Sequence, residues 1–305
     1  MKKNKLTIGA FAAREEAVKK AQKAISKADA ELTAAIESGD EGKIKDAAQK
    51  AFGTHQWADQ TINIIRGCAC DCLGCYAASR ANRFKEVAPG QWPVESLNER
   101  AFNAKVPKGK KLTMFPSTHN ISPEFLEPCE TKIRQILDSG SDILIVLKPW
   151  LKVVTSICER FEKDKEHIIF RFTIGSTDNA VLKFWEPGAP TYEERLACLQ
   201  YAFEQGFETS VSCEPWWGGD IDHLIAELRG YITDSIWVGK MNQGKARIKV
   251  NGHWTPEVEA KYDELMTCYS DDNIRAIYER YKDDPLIRWK ESIAKVIGIK
   301  GDCKK

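Results

Sequence analysis

The chain has 305 residues, of which 43% are hydrophobic and 29% charged, and its formal net charge is +1. This composition is ordinary for one large globular domain with smaller additions. The balanced charge excludes an overall field that would attract nucleic acid or a membrane surface. Because no run of 18 apolar residues and no signal-peptide pattern occurs, we expect a soluble, cytoplasmic protein without membrane contact.

The first part of the chain is rich in good helix formers. Ala, Lys and Glu dominate residues 10–52, and Ser38-Gly39-Asp40 interrupts the run. This pattern predicts an αα-hairpin. We assign residues 1–58 to an N-terminal helical hairpin.

From Thr61 onward, strand and helix patterns alternate. Strands are predicted at 61–65, 111–115, 142–147, 168–174, 209–213 and 235–238, with helices near 73–86, 122–138, 150–164, 190–205 and 220–229. Residues 143–147 are all apolar, which is typical of a parallel strand covered on both faces. The α/β alternation predicts a (β/α)6 partial TIM-type barrel over residues 59–245. Ligands of such folds bind at the carboxyl ends of the strands.

After Met241 the pattern changes. A short hairpin is predicted over 246–254, and Thr255-Pro256 is typical of a helix start. Helices are predicted at 256–268, from Asp271 to Tyr281, and at 286–297. We assign residues 246–305 to a C-terminal helical extension.

A cluster of cysteines follows the first predicted strand. Cys68, Cys72 and Cys75 form C-x3-C-x2-C, and three thiolates at this spacing can hold a [4Fe–4S] cluster with one iron left open. Cys70 could replace Cys68 or Cys72, or supply a fourth thiolate, but we expect that it is not a ligand. A structural zinc site and unligated thiols are the alternatives, although no second C-x2-C or H-x3-H occurs.

Polar residues follow the second and third predicted strands. Ser117 and Thr118 could hydrogen-bond a polar ligand, and His119 is a candidate for ligand contact or proton transfer. Lys148 ends an apolar strand, so its ammonium either extends to solvent or meets an anionic group such as a carboxylate.

Further candidates end the fourth and fifth predicted strands. Alternation places Arg171 and Thr173 on one face of the fourth strand, and Ser176 follows it. Glu214 stands beside two tryptophans, where it could be an acid of the site. Its structural alternative is an ion pair with Arg171.

The cysteine motif, placed after a strand and before Tyr76, resembles that of the radical S-adenosylmethionine (SAM) superfamily. Other segments resemble its spore photoproduct lyase-like branch, with the similarity covering about residues 61–242. These segments are Ser117-Thr118-His119 with Pro123 and Glu124, Lys148, Thr173-Ile174, Glu186-Pro187-x-x-Pro190 and Glu194-Arg195-Leu196. Two positions depart from the branch: Gly74 replaces an aromatic residue, and His119 replaces an aspartate.

The resemblance implies an enzyme in which Cys68, Cys72 and Cys75 hold a [4Fe–4S] cluster whose open iron binds SAM. Reductive cleavage then gives a 5′-deoxyadenosyl radical, which abstracts hydrogen from an unidentified substrate. An electron donor such as flavodoxin or ferredoxin is implied as a partner. The alternative is a non-catalytic zinc-binding or interaction protein.

The resemblance also implies roles for residues at the strand ends. The SAM contacts map to Ser117 or Thr118, Lys148 and Thr173. We add Tyr76 and Ser176 as cofactor contacts, and we expect Glu214 and His119 to be catalytic.

Overall fold

The computed structural model of the protein describes residues 57–88 and 90–298. The predicted hairpin over residues 10–52 lies outside these ranges. Thr61–Asp302 groups into one structural unit. The domain boundaries assigned from the sequence remain predictions.

Nine strands form within the described residues, and seven of them join in one sheet. The strands are β1 (Gln60–Thr61), β2 (Ile65–Arg66), β3 (Ser96–Leu97), β4 (Leu112–Phe115), β5 (Asp142–Leu147), β6 (Ile168–Thr173), β7 (Glu208–Cys213), β8 (Ile236–Val238) and β9 (Ile287–Trp289). The large sheet has the order β1-β4-β5-β6-β7-β8-β9, and β2 pairs with β3 in a separate antiparallel ribbon. All neighbours from β4 to β9 pair in parallel. The predicted α/β class, a parallel sheet of the partial-barrel type, is confirmed.

Helices connect the strands and flank the sheet. They are α1 (Tyr76–Arg83), α2 (Glu99–Asn103), α3 (Leu126–Asp138), α4 (Leu151–Arg160), α5 (Asn179–Trp185), α6 (Tyr192–Glu204), α7 (Ile221–Arg229), α8 (Gly244–Val250), α9 (Pro256–Cys268), α10 (Asp271–Tyr281) and α11 (Glu291–Ile297). Two 3₁₀ turns span Pro123–Phe125 and Glu162–His167. In the part of the chain that the structure describes, no helix is long and apolar enough to cross a membrane.

The two faces of the sheet differ in polarity. Side chains alternate along each strand, so Phe170 and Phe172 of β6 enter the main apolar core. Arg171 and Thr173 lie on the opposite face, where Arg171 is in register with Ser210 of β7. The interior of the partial barrel is therefore polar along β6 and β7.

The predicted first strand was wrong in its continuity. Instead of one strand over 61–65, β1 ends at Thr61 and a new ribbon strand starts at Ile65. Asn63 lies between them, and its side-chain oxygen accepts hydrogen bonds from the backbone of the loop after β4. Tertiary hydrogen bonds therefore divide the apolar run.

Of two further predictions in the C-terminal part, the hairpin was wrong, and the helix over 286–297 formed only from Glu291 to Ile297, as α11. A helix, α8, replaces the predicted hairpin over 246–254, because burial of Ile248 outweighs the weak strand propensity of this segment. Strand β9 starts inside the predicted helix 286–297, where Ile287 and Trp289 are buried beside β8. Helices α9 and α10 form as predicted, and Thr255 caps α9 by accepting a hydrogen bond from Val258.

Candidate active site

Four free thiols lie in the loop between β2 and α1. Cys68 and Cys70 are buried, whereas Cys72 and Cys75 are half-buried. A hydrogen bond between Cys68 and Cys70 lowers the pKa of Cys68 and raises that of Cys70. Burial raises the pKa values of Cys72 and Cys75, and each of these thiols also feels the charge of Cys68. The four thiols therefore lie within electrostatic reach of one another along this loop.

The entry to this loop requires a glycine. Gly67 has φ +87°, and a Cβ there would lie 2.3 Å from the carbonyl oxygen of Val94. Next to it, the backbone N–H of Cys68 donates to the carbonyl of Trp92 at 2.9 Å. At the other end, Cys75 caps α1, since its sulfur accepts from the N–H of Ala78 at 3.4 Å.

The loop over residues 186–190 backs the cysteine loop. The N–H of Gly188 donates to the carbonyl of Cys70 at 3.0 Å. A Cβ at Gly188 would lie 1.9 Å from the carbonyl oxygen of Ala69, so only glycine allows this approach. Close packing against the cysteine loop therefore explains the glycine of the Glu186-Pro187-Gly188 segment.

The C-terminal extension covers the cysteine loop from another side. The amide nitrogen of Asn251 donates to the carbonyls of Leu73 and Cys75, both at 3.0 Å. A Cβ at Gly74 would lie 1.8 Å from the methyl group of Met241. Met241 therefore fills the space that a side chain at position 74 would need, a relation that no local sequence signal shows.

Asn120 connects the cysteine loop to the ends of β4 and β5. Its amide nitrogen lies 3.2 Å from the sulfur of Cys70 and 2.7 Å from the carbonyl of Lys148. Its oxygen accepts from the N–H of Lys148 at 3.0 Å. Cys70 is 1% exposed and its sulfur is held by this amide. The sequence offered no signal for Asn120 beyond its place after a strand.

The half-buried Lys148 joins a charge network with the buried Glu186 and Arg195. Its Nζ lies 3.7 Å from Oε1 of Glu186, and Arg195 Nη2 lies 2.7 Å from Oε2. Trp217 also donates to Glu186, at 3.1 Å. Burial alone would raise the pKa of Glu186, but attraction from Lys148 and Arg195 holds it below its usual value. Burial likewise opposes the charge on Lys148, yet attraction from Cys72 and Glu186 raises its pKa.

The loop after β4 is held by Asn63. Its oxygen accepts from the N–H groups of Ser117 at 2.7 Å and Thr118 at 2.8 Å, and its amide donates to Ser117 Oγ. The hydroxyl of Tyr76 donates to the carbonyl of Ser117. The structure therefore brings Tyr76, Ser117 and Thr118 to the rim of the cysteine loop.

His119 is buried and both of its ring nitrogens have backbone partners. Nε2 accepts from the N–H of Ile64 at 3.1 Å, and Nδ1 donates to the carbonyl of Asn120 at 2.7 Å. Burial lowers the pKa of His119 to about 4. This geometry favours a neutral histidine that holds the loop in position. It does not favour a histidine that transfers protons.

Two polar residues near the end of β6 form hydrogen bonds with neighbouring segments. The carbonyl of Thr173 accepts from Arg195 at 3.1 Å, and Ser176 Oγ accepts from the N–H of Asp178 at 3.1 Å. Ser176 also lines a cavity of about 260 Å³ between the ends of β6 and β7.

Glu214 pairs with a residue that the sequence did not suggest. Its Oε2 lies 3.0 Å from Nζ of Lys290, which follows β9. Arg171 instead contacts Ser210 at 3.0 Å and Asp234 at 3.3 Å. The suggested pair of Glu214 with Arg171 is therefore not formed. Lys290 was missed because its segment was predicted to be helical.

The thiols fit an iron–sulfur cluster in their chemistry. Within residues 57–88 and 90–298, no group of three or more His, Cys, Asp or Glu side chains is arranged to hold a metal ion. A cluster spaces its thiolates around an inorganic core, and N–H donors and charges near the sulfurs tune it. The gathered thiols of Cys68, Cys72 and Cys75, with Asn120 and Lys148 beside the loop, match such a donor set.

Fold and site together define a parallel α/β protein with a thiol-lined site at the carboxyl ends of its strands. No family model matches the chain. It is 28% identical over 246 residues to the uncharacterized protein ORF301 of Acidianus two-tailed virus, covering 70% of this chain and 80% of that protein. It is 25% identical over 253 residues to the uncharacterized protein MJ0683 of Methanocaldococcus jannaschii, covering 81% and 90% respectively.

Similar solved structures include spore photoproduct lyase complexed with dinucleoside spore photoproduct, at 17% identity and a TM-score of 0.44. That match covers 64% of this chain and 60% of the lyase chain. A lyase mutant matches at 15% identity and a TM-score of 0.47, with 75% of each chain covered. Streptococcus suis SuiB bound to S-adenosylmethionine matches at 11% identity and 0.47, covering 84% and 57%. The branch that the sequence motifs resemble thus recurs among the structures found.

Proposed function

We propose that this protein is a radical SAM enzyme in which Cys68, Cys72 and Cys75 hold a [4Fe–4S] cluster. The observation that carries the proposal is that these free thiols lie on one loop, whose Cys70 sulfur is 3.2 Å from the Asn120 amide that also binds the backbone of Lys148 after β5. When bound, such a cluster supplies reductive cleavage of SAM to a 5′-deoxyadenosyl radical, which abstracts hydrogen from a substrate still to be identified. The electron comes from a donor such as flavodoxin or ferredoxin.

The residues around the thiols would bind and orient SAM. Lys148 supplies a positive charge for the SAM carboxylate, and its 3.7 Å distance to Glu186 leaves ammonium hydrogens for a second acceptor. Ser117 accepts from Asn63 through Oγ, so its hydroxyl hydrogen is available to a ligand. Thr118 and Tyr76 border the same space.

Three further roles complete the proposal. Thr173 and Ser176 contact the cofactor from the end of β6. Glu214, whose Oε2 lies 3.0 Å from Nζ of Lys290, is the acid–base candidate. His119 supports the loop that carries Ser117 and Thr118, since both of its nitrogens are engaged.

Anaerobic reconstitution with iron and sulfide tests this proposal. We expect about four irons per chain and slow release of 5′-deoxyadenosine from SAM under strong reductant. Cys68→Ala, Cys72→Ala and Cys75→Ala should each lose the cluster, because each removes one of three thiolates. Cys70→Ala is the matched control and should keep it.

Two results would contradict the proposal. One is a fully loaded cluster that releases no 5′-deoxyadenosine from SAM. The other is stoichiometric zinc that iron does not replace, which would favour the non-catalytic zinc-binding alternative. Loss of the cluster in Cys70→Ala with retention in Cys68→Ala would instead reassign the ligands.

A further inference from the structure

Arg247 places a half-buried guanidinium beside the cysteine loop. It lies on α8, whose C-cap residue Asn251 donates to the carbonyl of Cys75. The guanidinium carbon of Arg247 is 5.9 Å from the centre of the Tyr76 ring. Because Tyr76 directly follows Cys75 and reaches Ser117, Arg247 stands at the rim of the proposed cofactor site.

Lys148, Arg195 and Lys290 each have a carboxylate partner, whereas Arg247 has none within the described part of the chain. Lys148 and Arg195 share Glu186, and Lys290 pairs with Glu214. Among residues 57–88 and 90–298, the guanidinium of Arg247 has neither an ion pair nor a hydrogen bond. Partial burial of a guanidinium that has no hydrogen-bond acceptor costs free energy. A ligand that supplies acceptor oxygens at this position would offset that cost.

Two groups of the proposed site, Cys75 and Glu214, act on the charge of Arg247. Burial lowers the pKa of Arg247, and attraction from Cys75 and then Glu214 opposes that effect. Glu214 pairs with Lys290 at 3.0 Å, and no described carboxylate forms an ion pair with Arg247. The contact of Arg247 with the Tyr76 ring, at 5.9 Å, places its guanidinium at the rim of the cysteine loop.

A guanidinium fork matches the oxygens of a carboxylate or a phosphate in two parallel hydrogen bonds. We propose that Arg247 binds an oxyanion of this kind at the mouth of the barrel. The identity of this oxyanion rests on the proposed function. It is either an anionic group of the substrate or the carboxylate of SAM. The residue comes from the C-terminal extension, which lies outside the segments that resemble the radical SAM branch.

The test compares Arg247→Gln with Lys249→Gln. Lys249 lies on the same helix, is exposed, and sits 5.2 Å from the Trp254 ring centre, so the control loses an equal charge away from the rim. Thermal unfolding of the purified chain is followed against inorganic phosphate at constant ionic strength. A ligand that binds the folded state raises the unfolding temperature according to its affinity.

We expect phosphate to stabilise the wild type and Lys249→Gln alike. In Arg247→Gln the phosphate concentration needed should rise about 10- to 150-fold, the loss typical of one charge-assisted contact. Arg247→Lys, which keeps the charge but not the fork, should fall between them. Equal phosphate responses in Arg247→Gln and Lys249→Gln would overturn the proposal.

SAM binding to the reconstituted protein separates the two sources of the anion. If Arg247→Gln weakens SAM binding by the same factor, the bound group is the SAM carboxylate. If SAM affinity is unchanged while the phosphate response is lost, the site takes an anionic substrate. A phosphate difference that persists in a protein unable to build a cluster supports the oxyanion site while refuting the radical SAM function.

Discussion

Glu186→Gln removes a carboxylate that the buried Arg195 and the half-buried Lys148 share. Arg195 Nη2 lies 2.7 Å and Lys148 Nζ 3.7 Å from its oxygens. At an effective dielectric constant of about 20, these attractions are about 6 and about 4.5 kcal/mol. Desolvation of the three groups offsets much of this in the folded protein.

The net cost comes from the charges left behind. The side chains of Glu186 and Arg195 are 1% and 0% exposed, so glutamine would leave Arg195 buried and uncompensated. Removing one partner of a buried pair typically costs about 3–5 kcal/mol, and we expect this loss in the free energy of unfolding. That is a large fraction of the stability of an ordinary domain.

Urea unfolding followed by tryptophan fluorescence measures the effect, with the change read from the midpoint at constant slope. Glu264→Gln is the control, since Glu264 pairs with Lys261 on the surface and its loss should have little effect. Adding Lys148→Met to Glu186→Gln should cost less than the sum of the two single changes, because the second removes an orphaned charge.

Two outcomes would refute this reasoning. The first is a loss below about 1 kcal/mol in Glu186→Gln, which would mean that water or another group compensates both cations. The second is additivity of the double variant within about 0.5 kcal/mol, which would show that Lys148 and Glu186 do not interact.

Lys148→Met keeps most of the stem but loses the charge, so SAM binding measured anaerobically should weaken roughly 10- to 150-fold with the cluster retained; unchanged affinity would return Lys148 to a purely structural pair with Glu186. His119 has a usual pKa of 6.5 that burial lowers to about 4, so the unfolded chain binds the extra proton first and stability is lost as the pH falls from about 6.5 to 4. The difference in unfolding free energy between wild type and His119→Gln should shrink over that window, and equal slopes for both proteins would contradict the neutral buried histidine.

Local patterns predicted much of this protein. The apolar run of β5 indicated a parallel strand buried on both faces, and the structure places it in the middle of the sheet. Thr191 and Thr255 both cap the helices that the sequence placed after them. Such signals depend on neighbours within a few residues, so they can be read without the fold.

Placement at the site also followed from topology. Because carboxyl ends of parallel strands meet at one edge, Ser117 and Lys148 could be expected near Cys72. The partners with which these residues form hydrogen bonds and ion pairs could not be predicted from the sequence. Glu186 was noticed only as a motif, although its carboxylate holds both Lys148 and Arg195.

The sequence by itself determined the cysteine spacing, the apolar strands and the helix starts, because each depends on residues close along the chain. Only the tertiary structure decided what surrounds the thiols. Asn120 reaches Cys70 across 50 positions, and Asn251 reaches Cys75 across 176. The segments 246–254 and 286–297 carry weak local preferences, so burial against the sheet and the cysteine loop selected α8 and β9. Their long-range contacts place Arg247 and Lys290 at the mouth of the barrel.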